Sequence, residues 1–471
     1  MRTRIAVTIG YSSRSRSIIR EMALSGACIF RVNFSHGSPE EWVETARLVR
    51  SVEAELGKHF ALLGDLRGPS VRLGDLKAPV EVKAGESVRI IQANESAGGS
   101  DKRIPLPSGE AFKAIRKDHV ILMDDGRLVF KVESTSGSEI SMRALTDATI
   151  TSRKSIVIQG QDLDLPPITE EEIRAIRIAV ENDFDYIGLS YVKCVEDIAA
   201  LRGILISMGA REMGIIAKIE TPVGVRKLDE IIDAADGILV ARGDLGMHFP
   251  LEDVPSLQEK IVKKCVNKGK PVIVATQLLG SMIESPVPTR SEIVDVVSAL
   301  SQGVDVLMLT GETAIGKYPV ETVSWLARIL ERYESEIKPF RRTITGDNSI
   351  SDRFAFGIVS LAESLGAMIG VFTKSGKTAE RIASFKPDCR IVSASPNVKT
   401  LRKLMLLRSV ETIEVSASEY EAGMNELEAK LSRMKNIQEN TIAVLTYGFR
   451  DEPVHIVRIR QIRRASNELR V

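Results

Sequence analysis

The sequence predicts an α/β protein whose largest part is a (β/α)8 barrel. Three observations favour this fold: short, almost continuously apolar runs recur along the chain, amphipathic helical patterns follow most of them, and the runs number eight. Parallel strands that are buried on both faces have this composition, and eight of them with helical crossovers are typical of a closed barrel. An open, doubly wound sheet is the alternative. The eight runs are residues 4–10, 28–34, 60–66, 186–192, 214–220, 237–243, 271–277 and 304–310.

Helix signals lie between these runs. Residues 38–41 read Ser-Pro-Glu-Glu, which is a capping box with proline at the first helical position. Residues 169–172 read Thr-Glu-Glu-Glu and open a second apolar helical pattern in the same way. Gly269 is placed to end a helix just before the seventh run. These signals predict helices in the positions that barrel crossovers require.

Two segments depart from the strand–helix alternation. Between about residues 68 and 154, short alternating segments with Gly and Asp turns predict a small antiparallel β domain inserted after the third strand. After a polar linker at 341–352, a second α/β pattern begins, with predicted strands at 368–373, 390–394, 412–415 and 441–446. A chain of 471 residues exceeds the usual size of one core. We therefore expect three domains: the barrel at 1–67 and 155–340, the inserted β domain at 68–154, and a C-terminal domain at 341–471.

Composition excludes several functional classes. The formal net charge is +1 with 27% charged residues, so a nucleic-acid or membrane-surface partner is not expected. The four cysteines are far apart and form no CxxC pair, which argues against a disulfide framework or a zinc site. No signal-peptide pattern and no run of 18 apolar residues occurs. We expect a soluble protein of the cytoplasm.

Polar residues follow most of the apolar runs. In a (β/α)8 barrel these positions are the C-terminal ends of the strands, where catalytic groups gather. Lys218 and Glu220 are two residues apart on the fifth run, so their side chains lie on the same face of the strand. For a single Lys-x-Glu pair, a structural salt bridge at the rim is the simpler interpretation. Because polar groups follow seven of the eight predicted strands, we prefer the interpretation that they form a functional site. They include Arg31, Asn33, Ser35, His36, Asp65, Ser190, Asp244, Thr276 and Glu312.

The chemistry of this set favours phosphoryl transfer. Glu220 and Asp244 supply the hard oxygen ligands that Mg²⁺ prefers, and the set lacks the thiolate or histidine ligands typical of zinc. Arg31 and Lys218 can balance the charge of a phosphoryl group. The turn from Gly243 exposes backbone N–H groups that suit a carboxylate.

Six motifs in this order resemble pyruvate kinase. The motifs are RVNFSHG at 31–37, AKIETPVGV at 217–225, DGILVARGDLG at 236–246, KPVIVATQLLGSMI at 270–283, PTRSE at 288–292 and LTGETAIGKYP at 309–319. The resemblance implies a three-domain kinase in which the inserted segment is an antiparallel β-barrel that acts as a lid. It implies that the enzyme transfers phosphoryl from phosphoenolpyruvate to ADP, giving pyruvate and ATP. It also implies a homotetramer.

The resemblance also implies roles for individual residues. Glu220 and Asp244 would bind Mg²⁺ or Mn²⁺, while Lys218 and Arg31 would hold the phosphoryl group. Gly243, Asp244 and Thr276 would bind the substrate's carboxylate end, and Thr276 would lie near the carbon that is protonated. The nucleotide would be bound by Asn33, His36, Arg72 and Lys154.

The site that binds potassium in the family departs from the usual pattern. The matching residues are Asn33, Ser35, Asp65 and Leu66. Potassium-dependent members carry Thr-Lys-Gly-Pro-Glu after the aspartate, whereas this chain reads Leu-Arg-Gly-Pro-Ser at 66–70. Because Leu66 offers only a carbonyl and Ser70 carries no charge, we expect activity that does not need K⁺.

The C-terminal segment contains a second candidate anion site. Its residues are Thr373, Lys374, Ser375, Gly376, Lys377 and Thr378. Hydroxyl and N–H groups in such a turn can form a phosphate nest, and in the family the matching loop grips a phosphate of an allosteric effector. The alternative is an ordinary turn in which Ser375 or Thr378 caps a helix.

Two other functions compete with the kinase. One is a metal-dependent lyase or aldolase that forms an enolate on a phosphoenolpyruvate-type barrel, which would share Glu220 and Asp244. It needs neither the lid nor Lys218 in this position. The other is a non-catalytic sugar-phosphate sensor, which would be expected to lose the charges that this chain retains at the barrel mouth.

Overall fold

The computed structural model describes residues 1–94, 102–124, 126–346, 348–434, 436–448 and 455–463. The chain opens with three strands separated by two helices. Ser38 caps the second helix through the predicted capping box with Glu41, and Gly57 ends that helix in a left-handed conformation with φ of 58°. The elements are β1 (Arg4–Ile9), α1 (Arg16–Leu24), β2 (Ala27–Asn33), α2 (Pro39–Leu56) and β3 (Ala61–Asp65).

The inserted segment follows β3. Its elements are β4 (Val80–Val82), β5 (Ser87–Ile91), β6 (Arg103–Pro105), α3 (Gly109–Ala114), β7 (Val120–Met123), β8 (Leu128–Thr135), β9 (Glu139–Ala144), β10 (Ala148–Ile150) and β11 (Ile156–Ile158). In the described residues, six of the strands form a sheet in the order β11-β7-β8-β9-β5-β6, and β10 pairs with β4. We call this segment the lid.

The lid differs from the predicted antiparallel β-barrel in two respects. The hydrogen-bonded order of its larger sheet is open at β11 and β6 in the described part of the chain. In addition, β5 and β6 pair in parallel, whereas the other pairs are antiparallel. Alternating sequence patterns do not distinguish these two kinds of pairing.

The barrel resumes after β11. Its further elements are α4 (Glu170–Glu181), β12 (Tyr186–Leu189), α5 (Val195–Ser207), β13 (Gly214–Ile219), α6 (Pro222–Arg226), α7 (Leu228–Ala234), β14 (Gly237–Ala241), α8 (Arg242–His248), α9 (Val254–Lys268), β15 (Val272–Ala275), α10 (Arg290–Gln302), β16 (Val306–Leu309), α11 (Gly311–Ala314) and α12 (Pro319–Tyr333). Thr169 caps α4 through the second predicted capping box, and Gly269 ends α9.

The predicted (β/α)8 barrel is confirmed, and the open sheet is excluded. Within the described residues, eight parallel strands close in the order β1-β16-β15-β14-β13-β12-β3-β2. The strands are buried almost throughout, as in β14, because helices cover the outside and side chains fill the inside. Several predicted runs extend past the observed strand ends. The sixth run, for example, includes Arg242 and Gly243, which begin α8.

The C-terminal segment forms the predicted α/β domain. Its elements are α13 (Ile350–Ser364), β17 (Met368–Phe372), α14 (Lys377–Ser384), β18 (Ile391–Ser395), α15 (Val398–Lys403), β19 (Val410–Glu414), α16 (Tyr420–Leu431), β20 (Thr441–Gly448) and β21 (His455–Ile462). The described strands form a sheet in the order β19-β18-β17-β20-β21. The strand β21, antiparallel to β20, was not predicted. Its sequence mixes arginines with apolar residues, as an edge strand can, so it lacks the continuous apolar run that identified the others.

This domain packs against the end of the barrel where the strands begin. Lys386 forms a buried ion pair with Asp305, directly before β16, with a Nζ to Oδ1 distance of 2.5 Å. Arg402 binds Glu53 at 2.5 Å and also pairs with Asp183, which precedes β12. The opposite end of the barrel, where the strands finish, is therefore left to the lid. In the part of the chain that the structure describes, no helix is long and apolar enough to cross a membrane.

Candidate active site

Lys218 lies at the centre of the barrel mouth. Its ammonium group is 2.8 Å from Ser190 Oγ, 2.9 Å from Glu220 Oε1 and 3.4 Å from Asp65 Oδ1. These groups come from the ends of β12, β13 and β3, so the barrel closure brings them together. Burial opposes the charge, but the acids Asp65, Glu220 and Asp244 hold the pKa of Lys218 well above its ordinary value. The lysine is therefore a fixed cation.

Arg31 supplies a second cation beside it. Its Nε and one terminal nitrogen each lie 2.6 Å from Asp65 Oδ2, and its other terminal nitrogen donates to Thr8 Oγ1 at 3.0 Å. Asp65 thus contacts both cations. Its burial is opposed by Lys218 and Arg31, which together lower the pKa of this carboxyl. The sequence suggested Asp65 only as a monovalent-cation ligand, and its contacts with Arg31 and Lys218 were not predicted.

Glu220 and Asp244 face the same region of the mouth. Glu220 is 1% exposed, and its Oε2 accepts a hydrogen bond of 2.6 Å from the backbone N–H of Tyr191. Asp244 lies in the first turn of α8 and lines the cleft beneath the lid. The described residues contain no group of three or more His, Cys, Asp or Glu side chains that could hold a metal. Mg²⁺ is usually held by one or two carboxylates together with water and substrate oxygens, so these two acids nevertheless suit it chemically.

Thr276 has a strained backbone. Its φ is 73° and that of Gln277 is 53°, a conformation that costs free energy unless the surroundings impose it. The Thr276 carbonyl accepts hydrogen bonds from Arg242 at 2.6 and 3.1 Å, and Arg242 is itself held by Asp295 at 2.7 Å. The Thr276 Oγ1 accepts a 2.9 Å hydrogen bond from the N–H of Gly243. Arg242 therefore positions Thr276, a role that the sequence did not reveal.

The lid covers this mouth from above. A cleft runs between the two, lined on the lid side by Val120, Leu122 and Gly126 and on the barrel side by Asp244 and Thr276, among other residues. A methyl group added at Gly126 would lie 3.5 Å from the sulfur of Met247 in α8. The lid turn and the barrel helix are thus almost in contact at one edge of the cleft.

Of the four predicted nucleotide residues, two lie at or just after the end of β2 and two in the segments that connect the lid to the barrel. Asn33 ends β2, and its Oδ1 accepts a 3.1 Å hydrogen bond from the N–H of Ser35. Partial burial and the nearby Arg72, Arg31 and Arg67 lower the pKa of His36. The backbone of Lys154 lies beside that of Arg72, because Leu73 N–H donates to Lys154 O at 2.9 Å.

Lys154 also pairs with Asp124 of the lid turn. The side chain of His36 is therefore close to that of Arg72, and the backbone of Lys154 lies next to the backbone that carries Arg72.

The residues matched to the monovalent-cation site are adjacent across β2 and β3. Asn33 and Asp65 are paired in register, and Ser35 follows on the same loop. The side chain of Leu66 is buried, and its carbonyl accepts a 2.7 Å hydrogen bond from Ser190 Oγ. Ser70 Oγ is buried and has no hydrogen-bond partner in the described residues. Leu66 and Ser70 supply no charge here.

The Thr373–Thr378 loop joins β17 to α14. Thr373 Oγ1 accepts a 2.9 Å hydrogen bond from Gly376 N–H, and Gly376 has a φ of 88°. Gly376 is the N-cap of α14, and no side chain caps the helix. The alternative in which Ser375 or Thr378 caps this helix is therefore wrong. Lys374 Nζ lies 4.4 Å above the ring of Tyr420, while Ser375 and Lys377 are exposed.

Comparison with known proteins identifies the family. The sequence-family model for the pyruvate kinase barrel domain matches residues 1–323. The family model for the pyruvate kinase alpha/beta domain matches residues 352–456. A pyruvate kinase of Aeropyrum pernix is 36% identical over 459 residues, covering 98% of both chains. One of Pyrobaculum aerophilum is 39% identical over 432 residues, covering 91% of this chain and 90% of that protein.

Solved structures agree with the fold. The crystal structure of pyruvate kinase from Pyrobaculum aerophilum has a TM-score of 0.88 at 37% identity, covering 97% of this chain and 99% of that chain. A pyruvate kinase from Cryptosporidium parvum has a TM-score of 0.91 at 28% identity, covering 98% and 96%. The chain therefore belongs to the pyruvate kinase family and is a phosphotransferase that acts on phosphoenolpyruvate and ADP.

Proposed function

We propose that Lys218, Arg31, Glu220, Asp244 and Thr276 carry the transfer of phosphoryl from phosphoenolpyruvate to ADP. The observation that supports this most directly is the pair of cations, Lys218 and Arg31, held on either side of one buried carboxylate, Asp65. Phosphoryl transfer depends mainly on positioning and on neutralising the charge of the group in flight. Cations with fixed positions stabilise that charge without reorganising during the reaction.

The metal site in this proposal consists of Glu220 and Asp244. Because Glu220 also contacts Lys218 and the backbone of Tyr191, its carboxylate is held in one orientation. When bound, Mg²⁺ or Mn²⁺ would neutralise phosphoryl oxygens and orient them for transfer. The protein's own contribution is to keep the two acids close to a cation and beneath a lid that limits water.

Thr276 is the proposed positioning group for protonation of the enolate. Since its Oγ1 accepts the Gly243 N–H, its own hydroxyl proton is directed elsewhere and can be donated to substrate or to a water. The backbone around Gly243 and Asp244 would receive the carboxylate of the substrate. The nucleotide would lie beside Asn33, His36, Arg72 and Lys154, where the guanidinium and ammonium groups suit a diphosphate.

The decisive experiment is a lactate-dehydrogenase-coupled assay with phosphoenolpyruvate, ADP and Mg²⁺. We expect the Lys218→Met variant to lose turnover, by about 10³-fold or more, because a fixed charge opposite the transferring group is removed. Lys317→Met is the matched control, since Lys317 is exposed and pairs with Glu284 on the surface. Unfolding of both variants should be followed by circular dichroism. Turnover near the wild-type rate in a folded Lys218→Met protein would contradict the proposed role.

The rival activities give different results in the same experiment. A lyase or aldolase would break or form a carbon–carbon bond through an enolate intermediate without consuming ADP, and a sensor would bind its ligand without turnover. Neither would show ADP-dependent formation of pyruvate that requires Lys218.

We also propose that the reaction does not need K⁺. The chain replaces the expected threonine and glutamate with Leu66 and Ser70, and the single acid, Asp65, is already balanced by Arg31 and Lys218. The forward rate in buffer free of sodium and potassium should therefore equal the rate with added KCl. A large drop without K⁺ would rule this out.

The Thr373–Thr378 loop is the proposed site for a phosphate group of an allosteric effector. A glycine turn, the exposed Ser375 hydroxyl and two lysines stand at the start of a helix that no side chain caps. Calorimetric titration with AMP and with sugar phosphates tests the proposal, using Ser375→Ala with Thr378→Ala as the variant. Binding that is unchanged in this variant, or absent from the wild type, would contradict it.

We also propose the domain limits, the oligomeric state and the cellular location of the protein. The domain limits 1–67 with 155–340, 68–154 and 341–471 are supported by the largely separate hydrophobic clusters of barrel, lid and C-terminal segment. Two exceptions are Met405 and Leu406, which belong to the barrel cluster, and β11, which pairs with the lid sheet. A homotetramer located in the cytoplasm is the assembly expected of the family, and light scattering would measure the mass directly.

A further inference from the structure

Asp65 holds Arg31 through a single oxygen atom. The Nε of Arg31 and one terminal nitrogen, Nη2, both lie 2.6 Å from Asp65 Oδ2. The other oxygen, Oδ1, is instead 3.4 Å from Lys218 Nζ. A guanidinium group that binds two carboxylate oxygens is fixed in direction by the paired contacts. When both contacts end on one oxygen, the group can turn about that oxygen, so Asp65 alone does not fix where Arg31 points.

Thr8 supplies a third contact on the far side of the guanidinium group. The other terminal nitrogen of Arg31, Nη1, donates to Thr8 Oγ1 at 3.0 Å. Thr8 lies on β1, in register with Arg31 on β2. Because Thr8 is only 3% exposed, bulk water does not compete for this hydrogen bond. The contact therefore prevents rotation of Arg31 about Asp65 Oδ2.

The hydroxyl proton of Thr8 is used by a neighbouring strand. Thr8 Oγ1 donates at 3.0 Å to the carbonyl of Leu309, the last residue of β16. A hydroxyl group has one O–H donor and two acceptor lone pairs. Since Leu309 takes the proton, a lone pair of Thr8 Oγ1 is left for Arg31. The orientation of the hydroxyl is thus set by the barrel and not by the guanidinium group.

The backbone of Thr8 is fixed as well. The hydroxyl of Thr313, in α11, donates to Thr8 O at 2.9 Å and accepts from Thr8 N–H at 3.0 Å. Thr313 is itself fully buried. The acceptor that Arg31 meets is therefore attached to three elements of the barrel, namely β1, β16 and α11.

These contacts leave two donors of Arg31 for a ligand. A guanidinium group has five N–H donors. Asp65 takes one from Nε and one from Nη2, and Thr8 takes one from Nη1. In the described part of the chain, one N–H therefore remains on each terminal nitrogen. Two such donors are what a bidentate contact with phosphoryl oxygens requires.

We propose that Thr8 is a positioning residue for phosphoryl transfer. Its hydroxyl fixes the guanidinium group of Arg31 so that the two remaining donors face the group in flight. Thr8 contacts neither substrate nor metal in this assignment and acts only through Arg31. The inference rests on the proposed role of Arg31 and adds to it a residue on another strand. A threonine that served only packing, or only the Leu309 carbonyl, would affect stability but not the chemical step.

Steady-state kinetics of Thr8 variants of the full chain provide the first test. Thr8→Val keeps the shape of the side chain and removes the hydroxyl, so kcat should fall between about tenfold and 10²-fold as Arg31 is misplaced. KM for ADP should be nearly unchanged. Thr8→Ser keeps the hydroxyl and should retain most of the wild-type kcat. Thr322→Val is the matched control, because Thr322 is fully buried and its hydroxyl donates to the Tyr318 carbonyl at 2.7 Å.

A double-mutant cycle with Arg31→Lys tests whether Thr8 acts through Arg31. Lysine lacks the nitrogen that Thr8 binds, so its presence removes the interaction under test. Adding Thr8→Val to Arg31→Lys should therefore lower kcat by about twofold at most, far less than in the wild type. A residue that supports the barrel mouth in general would slow both backgrounds equally.

The outcomes separate this inference from the proposed function. Wild-type kcat in a folded Thr8→Val protein, an equal loss in Thr8→Ser, or a full further loss in the Arg31→Lys background would overturn the role of Thr8. Thr8→Ala replaces Thr8→Val if circular dichroism shows that the valine variant does not fold. Wild-type turnover of Arg31→Lys would overturn the proposed role of Arg31 together with that of Thr8. Slow turnover of Arg31→Lys with a wild-type rate in Thr8→Val would overturn the role of Thr8 alone.

Discussion

At the scale of single residues, Asp65 organises the barrel mouth. It holds Arg31 with two contacts of 2.6 Å and lies 3.4 Å from Lys218 Nζ, so one carboxylate sets the distance between two cations. A buried ion pair of this kind gains little stability over apolar packing. Its value here is positional, since fixed charges are what a transferring phosphoryl group needs.

A substitution at Thr276 is expected to affect protonation of the enolate separately from phosphoryl transfer. Thr276→Val keeps the shape of the side chain but removes the hydroxyl, and kcat should fall about 10²-fold as a positioned proton donor is lost. Thr276→Ser should retain most activity. Exchange of methyl protons of pyruvate with deuterated solvent, followed by NMR, measures the protonation step separately. Exchange at the wild-type rate in a Thr276→Val protein with low kcat would contradict the role in protonation.

Asp185 gives a prediction about pH. Burial, opposed by Arg50 and by the Leu62 N–H, raises the pKa of this carboxyl from 3.8 to about 6. Between those values the unfolded chain ionises while the folded protein keeps the proton, so this group's stabilising contribution falls as pH rises from about 4 to 6. At neutral pH the loss amounts to roughly 3 kcal/mol at most.

Asp185→Asn removes this titration but keeps an oxygen for the Leu62 N–H. Relative to the wild type, the variant should therefore gain stability between pH 4 and pH 7, as measured by urea unfolding at both values. Asp147→Asn is the exposed control. An equal difference between variant and wild type at the two pH values would show that the pKa of Asp185 is not raised.

At the scale of elements, α2 links helix capping to the proposed nucleotide site. Ser38 caps α2 directly after the loop that carries His36, and Glu41 of the same capping box also pairs with Arg14 near the end of β1. The cap therefore holds both the helix and the loop between β2 and α2.

Ser38→Ala should lower the free energy of unfolding by about 1 kcal/mol, because the N–H of Glu41 loses its acceptor. It should also raise KM for ADP severalfold while leaving KM for phosphoenolpyruvate nearly unchanged. Ser38→Asp, which can also cap, is the matched variant and should behave like the wild type. Equal loss in both variants would mean that the cap does not carry the effect.

Element boundaries show where sequence reasoning succeeds and fails. The barrel strands and the two capping boxes were predictable because apolar runs and capping residues act locally. The parallel pair β5–β6 and the edge strand β21 were not, because strand direction and pairing depend on partners that are distant in sequence. Arg242 was missed as a positioning residue for the same reason, since it acts on Thr276 across 34 positions of the chain.

At the scale of the whole molecule, a few buried charges join the C-terminal domain to the barrel. Lys386 and Asp305 are 2% and 3% exposed and form an ion pair across this boundary. Removing one partner of such a pair leaves a buried charge without compensation. The substrate cleft lies at the opposite end of the barrel.

Lys386→Met should therefore lower the thermal midpoint by several degrees, corresponding to a loss of about 3 kcal/mol, with kcat per folded chain nearly unchanged. Lys399→Met is the matched control, because Lys399 is 68% exposed and pairs with Asp183 at the surface. Differential scanning calorimetry measures both. A midpoint equal to that of the wild type would mean that the pair contributes nothing to domain attachment.

The sequence by itself determined the number of barrel strands, the helix starts, the motifs and thus the family. These features depend on local composition and on residue identity at fixed spacing. Only the tertiary structure decided that Asp65 joins Arg31 to Lys218, that Arg242 holds the strained Thr276, and that Lys386 pairs with Asp305 across a domain boundary. Each of these contacts joins residues that are distant in the chain. Their distances arise from the closure of the barrel and from the packing of the C-terminal domain on it, which no local pattern encodes.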